Sequence, residues 1–285
     1  MNKIIKENFN LEILELKKLD GYENENYLII TKNKKYIFKK YPYSPELATV
    51  IKGENEVLLF LSENKKKFPN PIKAVDGKYV QIHKINGQKV ICRMLSFLEG
   101  EMLGSIKNTK EMFKSLGIFL AKMNQNLQSY NNNIIKARVW HWDLQHFHLN
   151  KKYIDFIPNA KGRSLVKYFF YQFQENVSPL IPSLRKSIIH SDANEWNVLI
   201  QNGKVSSIID FGDLVYSPLI NEIAIAMTYA SYDKENPLDW ALIILKSYNS
   251  EIPILEIEIK TLYYLIAARL CISLCNAAYS KKINE

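Results

Sequence analysis

Three cysteines, five histidines and ten glycines are few for a chain of 285 residues, and each shortage removes a class of protein. Cys92, Cys271 and Cys275 form an odd set with no C-x-x-C pair. That excludes a disulfide framework and points to a reducing compartment, the cytoplasm. Cys271 and Cys275 stand four apart, as neighbours on one helix face do, so packing explains them better than redox chemistry. Met1 to Leu16 alternates charged residues with leucine and isoleucine and has no apolar core, so no signal peptide is expected. The longest apolar stretch, Tyr263 to Tyr279, is broken by Arg269 and by small polar residues, and reads as a buried helix instead of a membrane span. The net charge of +9 comes from scattered lysines, without the basic stripe and interleaved aromatics of a nucleic-acid surface. A moderate positive field suits an anionic nucleotide equally well. The one tight run, Lys65-Lys66-Lys67, ends an expected helix, where cations suit the dipole.

Against this background, Ile188 to Asp213 is dense in polar side chains framed by apolar runs. Ile188 and Ile189 lead into His190, Asp192 and Asn197, and Val198 to Ile200 reads as a strand. Asn202-Gly203 supplies a tight hairpin turn, and Val205 to Ile209 returns to deliver Asp210 beside the loop carrying Asp192 and Asn197. Two carboxylates and a carboxamide at one end of a hairpin suit phosphoryl transfer. One carboxylate orients the attacking hydroxyl, while an asparagine and a second aspartate hold Mg²⁺ against nucleotide phosphates. The order H-x-D-x-x-x-x-N followed by D-F-G resembles the catalytic and metal-binding loops of protein-kinase-like enzymes. The plainer alternative makes Asp192 a turn or helix cap in a polar loop.

The rest of the chain has a matching order. Residues 9–18 read as a strand, followed by a turn at Asp20-Gly21 and a second strand. Gly21 is placed to let backbone N–H groups cover nucleotide phosphates, although the turn lacks G-x-G-x-x-G. Lys34 to Lys40 reads as a third strand in which Ile37 and Lys39 share a face, offering an apolar wall and a cation together. Lys40 is expected to face solvent. A helix is predicted over Glu46 to Asn64, where Glu54 lies beside the apolar stripe and is the candidate partner of Lys39, with Glu56 as runner-up. The turn signals Asp76-Gly77 and Asn86-Gly87 punctuate further strands and complete a sheet of about five. Leu98-Glu99-Gly100-Glu101 breaks the pattern. A hinge near 95–101, with Phe97 in it, would present backbone groups to a purine edge. Helices are predicted downstream over 109–129, 162–177, 219–232, 237–249 and 253–280. The expected fold class is α+β: a small antiparallel sheet with one helix over residues 1–97, then a larger, mainly helical part over 98–285.

The chain resembles the aminoglycoside phosphotransferase and choline kinase superfamily, which has a two-lobed protein-kinase-like fold, and within it the hydroxylysine kinase group. The resemblance rests on L-D-G-Y-E-N-E-N-Y (19–27), R-M-L-S-F-L-E-G-E (93–101), R-V-W-H-W-D-L (138–144), the segments around Asp192 and Asp210, and N-E-I-A-I-A-M-T-Y-A (221–230). It implies Asp192 as catalytic base, Asn197 and Asp210 as Mg²⁺ ligands, Lys39 on the phosphates of ATP or GTP, and His190 as a brace for the loop backbone. Ser191 departs from the pattern, since such enzymes commonly have glycine there. The acceptor implied is a small amine-bearing alcohol: 5-hydroxylysine first, then homoserine, choline or ethanolamine, or an aminoglycoside.

Trp140, Trp142 and Asp143 offer an aromatic wall and a carboxylate suited to an aminium group. Asp213 and Glu222 either add negative charge nearby, or serve as a cap after Pro218 and as acceptors within the loop. His141, Asp143, His146 and His148 cluster in sequence, but the spacing supplies no metal-ligand set. The second functional reading is a catalytically silent nucleotide-binding or scaffold protein of the same fold. The presence of Lys39, Asp192, Asn197 and Asp210 together weighs against it.

Overall fold

The computed structural model describes residues 1–21, 24–62 and 67–284. Lys65 and Lys66 of the lysine run, and Tyr22 and Glu23 of the first turn, lie outside them. The chain divides into two units, one of Met1–Glu99 with Asn132–Ile134, the other of Gly100–Asn131 with Ile135–Glu285.

In the first unit, helix α1 (Asn2–Phe9) precedes strands β1 (Glu15–Leu19), β2 (Glu25–Ile30) and β3 (Lys35–Pro42). Helix α2 (Pro45–Ser62) follows, then β4 (Pro71–Ile72), β5 (Gln81–Ile85) and β6 (Gln88–Ser96). The six strands form one antiparallel sheet in the order β1-β2-β3-β6-β4, with β5 also paired to β6. Asn86 and Gly87, both at positive φ (49° and 83°), make the tight β5–β6 turn that the Asn-Gly pair predicts. Alternation along β3 sorts the two faces. Phe38 packs with Ile5 and Phe9 of α1 and with Cys92 and Met94 of β6. Tyr41 packs with Ile51 of α2 and with Ile91. The unit therefore carries two helices where one was expected. Residues 9–14 do not belong to the first strand: α1 ends at Phe9, and Asn10 at φ 49° closes the helix in the left-handed conformation.

In the second unit, β7 (Glu101–Met102) pairs with β9 (Val198–Gln201), which also pairs with β10 (Lys204–Ile208). A separate ladder joins β8 (Lys186–Ile189) to β11 (Val215–Pro218). Helices α3 (Lys110–Gln128), α5 (Ala160–Asn176), α6 (Ile220–Ala230), α7 (Pro237–Asn249) and α8 (Glu256–Asn284) match the predicted spans to within four residues, and a short α4 (Asn133–Ala137), whose first two residues are counted with the first unit, is additional. A 3-10 helix over Leu144–Phe156, kinked at His146, was not anticipated. Helix α8 is long and apolar enough to cross a membrane by composition, yet over half of its most apolar window is buried within the protein, against α5, α6 and the 3-10 helix.

Candidate active site

The loop from His190 to Asn197 joins β8 to β9, and several bonds fix its path. The backbone N–H of His190 donates to Glu222 Oε2 at 2.7 Å, and Glu222 also accepts from the Ser191 backbone. His190 Nε2 donates to the carbonyl of Ile209 at 3.0 Å, and its Nδ1 accepts the N–H of Asp192 at 3.2 Å. A carbonyl can only accept, so the ring is the neutral Nε2–H tautomer. Burial supports that state by pulling the His190 pKa down to about 4. His190 thus ties the Asp192 loop to the strand end that carries Asp210, and burial leaves it no path to solvent for a proton. Ser191 takes φ 67°, the left-handed region where glycine is at ease.

Asp192 is held at both oxygens. Oδ1 pairs with Arg269 Nη2 at 2.7 Å, while Oδ2 accepts from Asn194 Nδ2 at 2.9 Å and from Asn197 Nδ2 at 2.7 Å. Burial pushes its pKa up to about 7. Arg269 opposes that shift, whereas the carboxylates of Asp213 and Asp210 add to it. A carboxylate balanced near neutrality is matched to accepting a proton in catalysis.

Arg269, from the middle of α8, is only 1% exposed. Its guanidinium donates to the Tyr229 hydroxyl through Nε (3.1 Å) and Nη2 (2.9 Å) and lies 4.7 Å above the Trp142 ring. In the sequence it stood out only as a break in the apolar stretch Tyr263 to Tyr279. The available signal was a single cation amid an apolar helix, since a buried charge needs a fixed partner.

Asn197 is oriented by donating Nδ2 to the backbone carbonyl and to Oδ2 of Asp192, which leaves its amide oxygen as the atom to offer a cation. Asp210, at φ 61°, opens the turn Phe211–Asp213, and its charge is felt at Asp192. One amide oxygen and one carboxylate are hard donors of the kind Mg²⁺ takes, completing its shell with water and substrate phosphates. The donor set therefore fits that ion. Among the described residues, no three His, Cys, Asp or Glu side chains gather into a further metal site.

In the first unit, Lys39 is 6% exposed and stands opposite Arg93 in the β3–β6 register. Glu54 is buried, and its Oε2 accepts from Arg93 Nη2 at 2.7 Å. Arg93 further binds Asn55 Oδ1 at 3.0 Å and Tyr41 Oη at 2.9 Å, so a second cation that the sequence reading did not assign shares the glutamate's surroundings. Glu56, the runner-up, is partly exposed and accepts from Asn132 Nδ2 at 2.8 Å. Lys40 is ion-paired with Glu25 and largely withdrawn from solvent, contrary to the exposed position expected of it, because the β2–β3 register sets the two residues opposite each other. Gly21 is exposed, and a Cβ there would lie 2.4 Å from the carbonyl oxygen of Asn24, so only glycine fits. Phe97 donates its N–H to Lys35 at 3.3 Å, and the Lys35 ammonium sits 5.2 Å from its ring centroid.

The residues suggested for the acceptor have other attachments. Asp143 is fully buried and accepts from Ser217 Oγ at 2.6 Å and from both the backbone and the amide of Gln145. It caps the 3-10 helix, and its oxygens are engaged there, so it is no wall of an open pocket. Trp142 is covered on one face by Arg269. Asp213 accepts from Trp140 Nε1 at 2.8 Å. Glu222 braces the loop of Asp192, and burial pushes its pKa up to about 7.

A family profile described as the phosphotransferase enzyme family matches residues 15–256. The chain belongs to this family. The phosphotransferase is 26% identical to a hydroxylysine kinase of Mus musculus, in an alignment covering 95% of this chain and 79% of the relative. It is 23% identical to a homoserine kinase of Methylobacillus glycogenes, covering 87% and 74%. Among solved structures it is similar to an amicoumacin kinase in complex with AMP-PNP, Ca²⁺ and Ami, with a TM-score of 0.79 at 19% identity over 98% of this chain and 85% of that one. The fold is thus that of the protein-kinase-like small-molecule kinases.

Proposed function

We propose that this phosphotransferase transfers the γ-phosphate of ATP or GTP to the hydroxyl of a small, amine-bearing metabolite, with 5-hydroxylysine the first candidate and homoserine the second. The observation that carries the reading is the bracing of Asp192: three side chains fix its two oxygens, and His190 and Glu222 fix the loop beneath it. Asp192 orients the acceptor hydroxyl and takes its proton as the new P–O bond forms. The bond from the γ-phosphorus to the bridging oxygen breaks, and nucleoside diphosphate leaves. Asn197 and Asp210 would hold Mg²⁺, which supplies charge neutralisation at the phosphate oxygens. Lys39 is assigned to the phosphates, and Gly21 and Phe97 to the nucleotide. Three free, buried cysteines agree with a reducing, cytoplasmic setting.

The test is nucleoside diphosphate release with Mg²⁺ and either ATP or GTP across a panel of hydroxy-amines. Release that depends on an acceptor is expected, and Asp192→Ala should lower turnover by at least about a thousandfold while nucleotide affinity is kept. A flat response with both nucleotides would favour the catalytically silent reading, and equal turnover in mutant and parent would remove Asp192 from the mechanism.

A further inference from the structure

The second unit contains a cavity of about 210 Å³ whose walls include Gly104, Ala193, Glu195, Trp196, Tyr229, Tyr232 and Lys234. Ala193 directly follows Asp192, and the hydroxyl of Tyr229 binds the arginine that holds Asp192. The cavity therefore adjoins the proposed base. Its polar groups are unequal in a telling way. Glu195 Oε2 is shut away from solvent and has no hydrogen-bond partner. A carboxylate oxygen in that state raises the free energy of the empty site unless a cation arrives. Lys234 is anchored by one bond to Asn108 Oδ1 at 2.9 Å and by the Trp240 ring, 5.1 Å from its ammonium, which leaves two of its three donors for another acceptor.

Resting on the kinase reading, we infer that Glu195 and Lys234 are the specificity-determining pair of the acceptor cavity, Glu195 receiving an ammonium and Lys234 a carboxylate of the same small molecule. The aromatic rings of Trp196, Tyr229 and Tyr232 suit the ammonium end through their π faces. Gly104 makes the arrangement possible. A Cβ there would lie 2.9 Å from Glu195 Cγ and 3.1 Å from the Trp196 ring, so any larger residue would displace both walls. The volume is smaller than the usual range for drug-sized ligands, roughly 300–1,000 Å³. That scale suits an acceptor the size of an amino acid.

The experiment uses the full chain with Mg²⁺ and whichever nucleotide the parent accepts. The acceptors are 5-hydroxylysine, homoserine, 3-aminopropanol (homoserine without its carboxylate) and 4-hydroxybutanoate (homoserine without its amine). The parent is expected to favour the two amino acids at least about tenfold in kcat/KM over either single-pole compound, as one lost charged contact implies. Glu195→Gln should raise the KM of the amine-bearing acceptors at least about tenfold with kcat changed far less, and Glu195→Asp should fall between. Lys234→Met should erase the preference for homoserine over 3-aminopropanol. Acceptor KM values within about twofold of the parent in both Glu195→Gln and Lys234→Met would overturn the pairing. Calorimetric titration of 5-hydroxylysine and homoserine separates this failure from that of the kinase reading. If no acceptor is phosphorylated, binding that Glu195→Gln weakens tenfold upholds the cavity assignment, and absent or unaltered binding overturns it.

Discussion

Ser191 sits at φ 67° with its hydroxyl buried and unpartnered. A left-handed non-glycine residue costs roughly 1–2 kcal/mol, and glycine returns part of that through its unfolded-state entropy. Ser191→Gly should therefore raise stability by about 1 kcal/mol, read from urea denaturation. A destabilised variant would show that the serine makes a contact outweighing its backbone strain. The residue's departure from its family was visible in the sequence. What glycine does at that position was not, because φ depends on the closed loop.

Two neighbours beneath that loop titrate in opposite senses. Glu222 rises from 4.5 to about 7 through burial, so its ionised form is a cost to the fold above pH 7 that is relieved as pH falls to 4.5. His190 drops from 6.5 to about 4, so its contribution is intact above pH 6.5 and lost as pH falls towards 4. Each amounts to about 3 kcal/mol at 1.36 kcal/mol per unit, and over most of the window they offset. Glu222→Gln removes the compensating partner. Its stability should fall by about 3 kcal/mol more than the parent's between pH 7 and 4. Parallel pH curves for the two proteins would refute the compensation.

At the scale of elements, helix α2 is pinned to the first sheet by Arg93 and its partners Glu54, Asn55 and Tyr41, all buried. Removing one member strands a charge. Glu54→Ala should cost about 3–5 kcal/mol, whereas Glu54→Leu with Arg93→Met should recover most of it, because no lone charge remains. Additive losses in a denaturation cycle would argue against a closed pair. Helices α3 and α7 were legible because their apolar residues recur at 3.6, and the hairpin at Asn202-Gly203 because both residues accept positive φ. The 3-10 helix after Asp143 was not, since its tighter period lacks a distinct apolar signature. Helix α1 was hidden by its brevity. Its buried residues, Ile5 and Phe9, also fit an alternating pattern when read alone.

For the molecule as a whole, the order His190, Asp192, Asn197 and Asp210 stands out in the sequence because those residues lie close together in the chain, whereas the walls of the proposed acceptor cavity come from distant segments. Glu195 lies against Gly104, and Asp192 takes its arginine from α8. Asp143, the nearest carboxylate to the tryptophans in sequence, turned out to be consumed by Ser217 and Gln145. Linear proximity gathers the residues of the Asp192 loop and misses Asp143's partner Ser217, 74 positions away.

The Arg269–Asp192 pair spans 77 residues of chain. A ribosome adding about 5–20 residues per second reaches Arg269 roughly 4–15 s after Asp192. Throughout that interval the nascent protein has the loop of Asp192 but not the arginine that pairs with it, while the first unit, its return at Asn132–Ile134 included, is already complete in sequence. A chain stalled before α8 would thus hold an aspartate fixed at Oδ2 by Asn194 and Asn197 but without a cation at Oδ1, and on the proposed mechanism the base is fully oriented only once α8 has been made and docked.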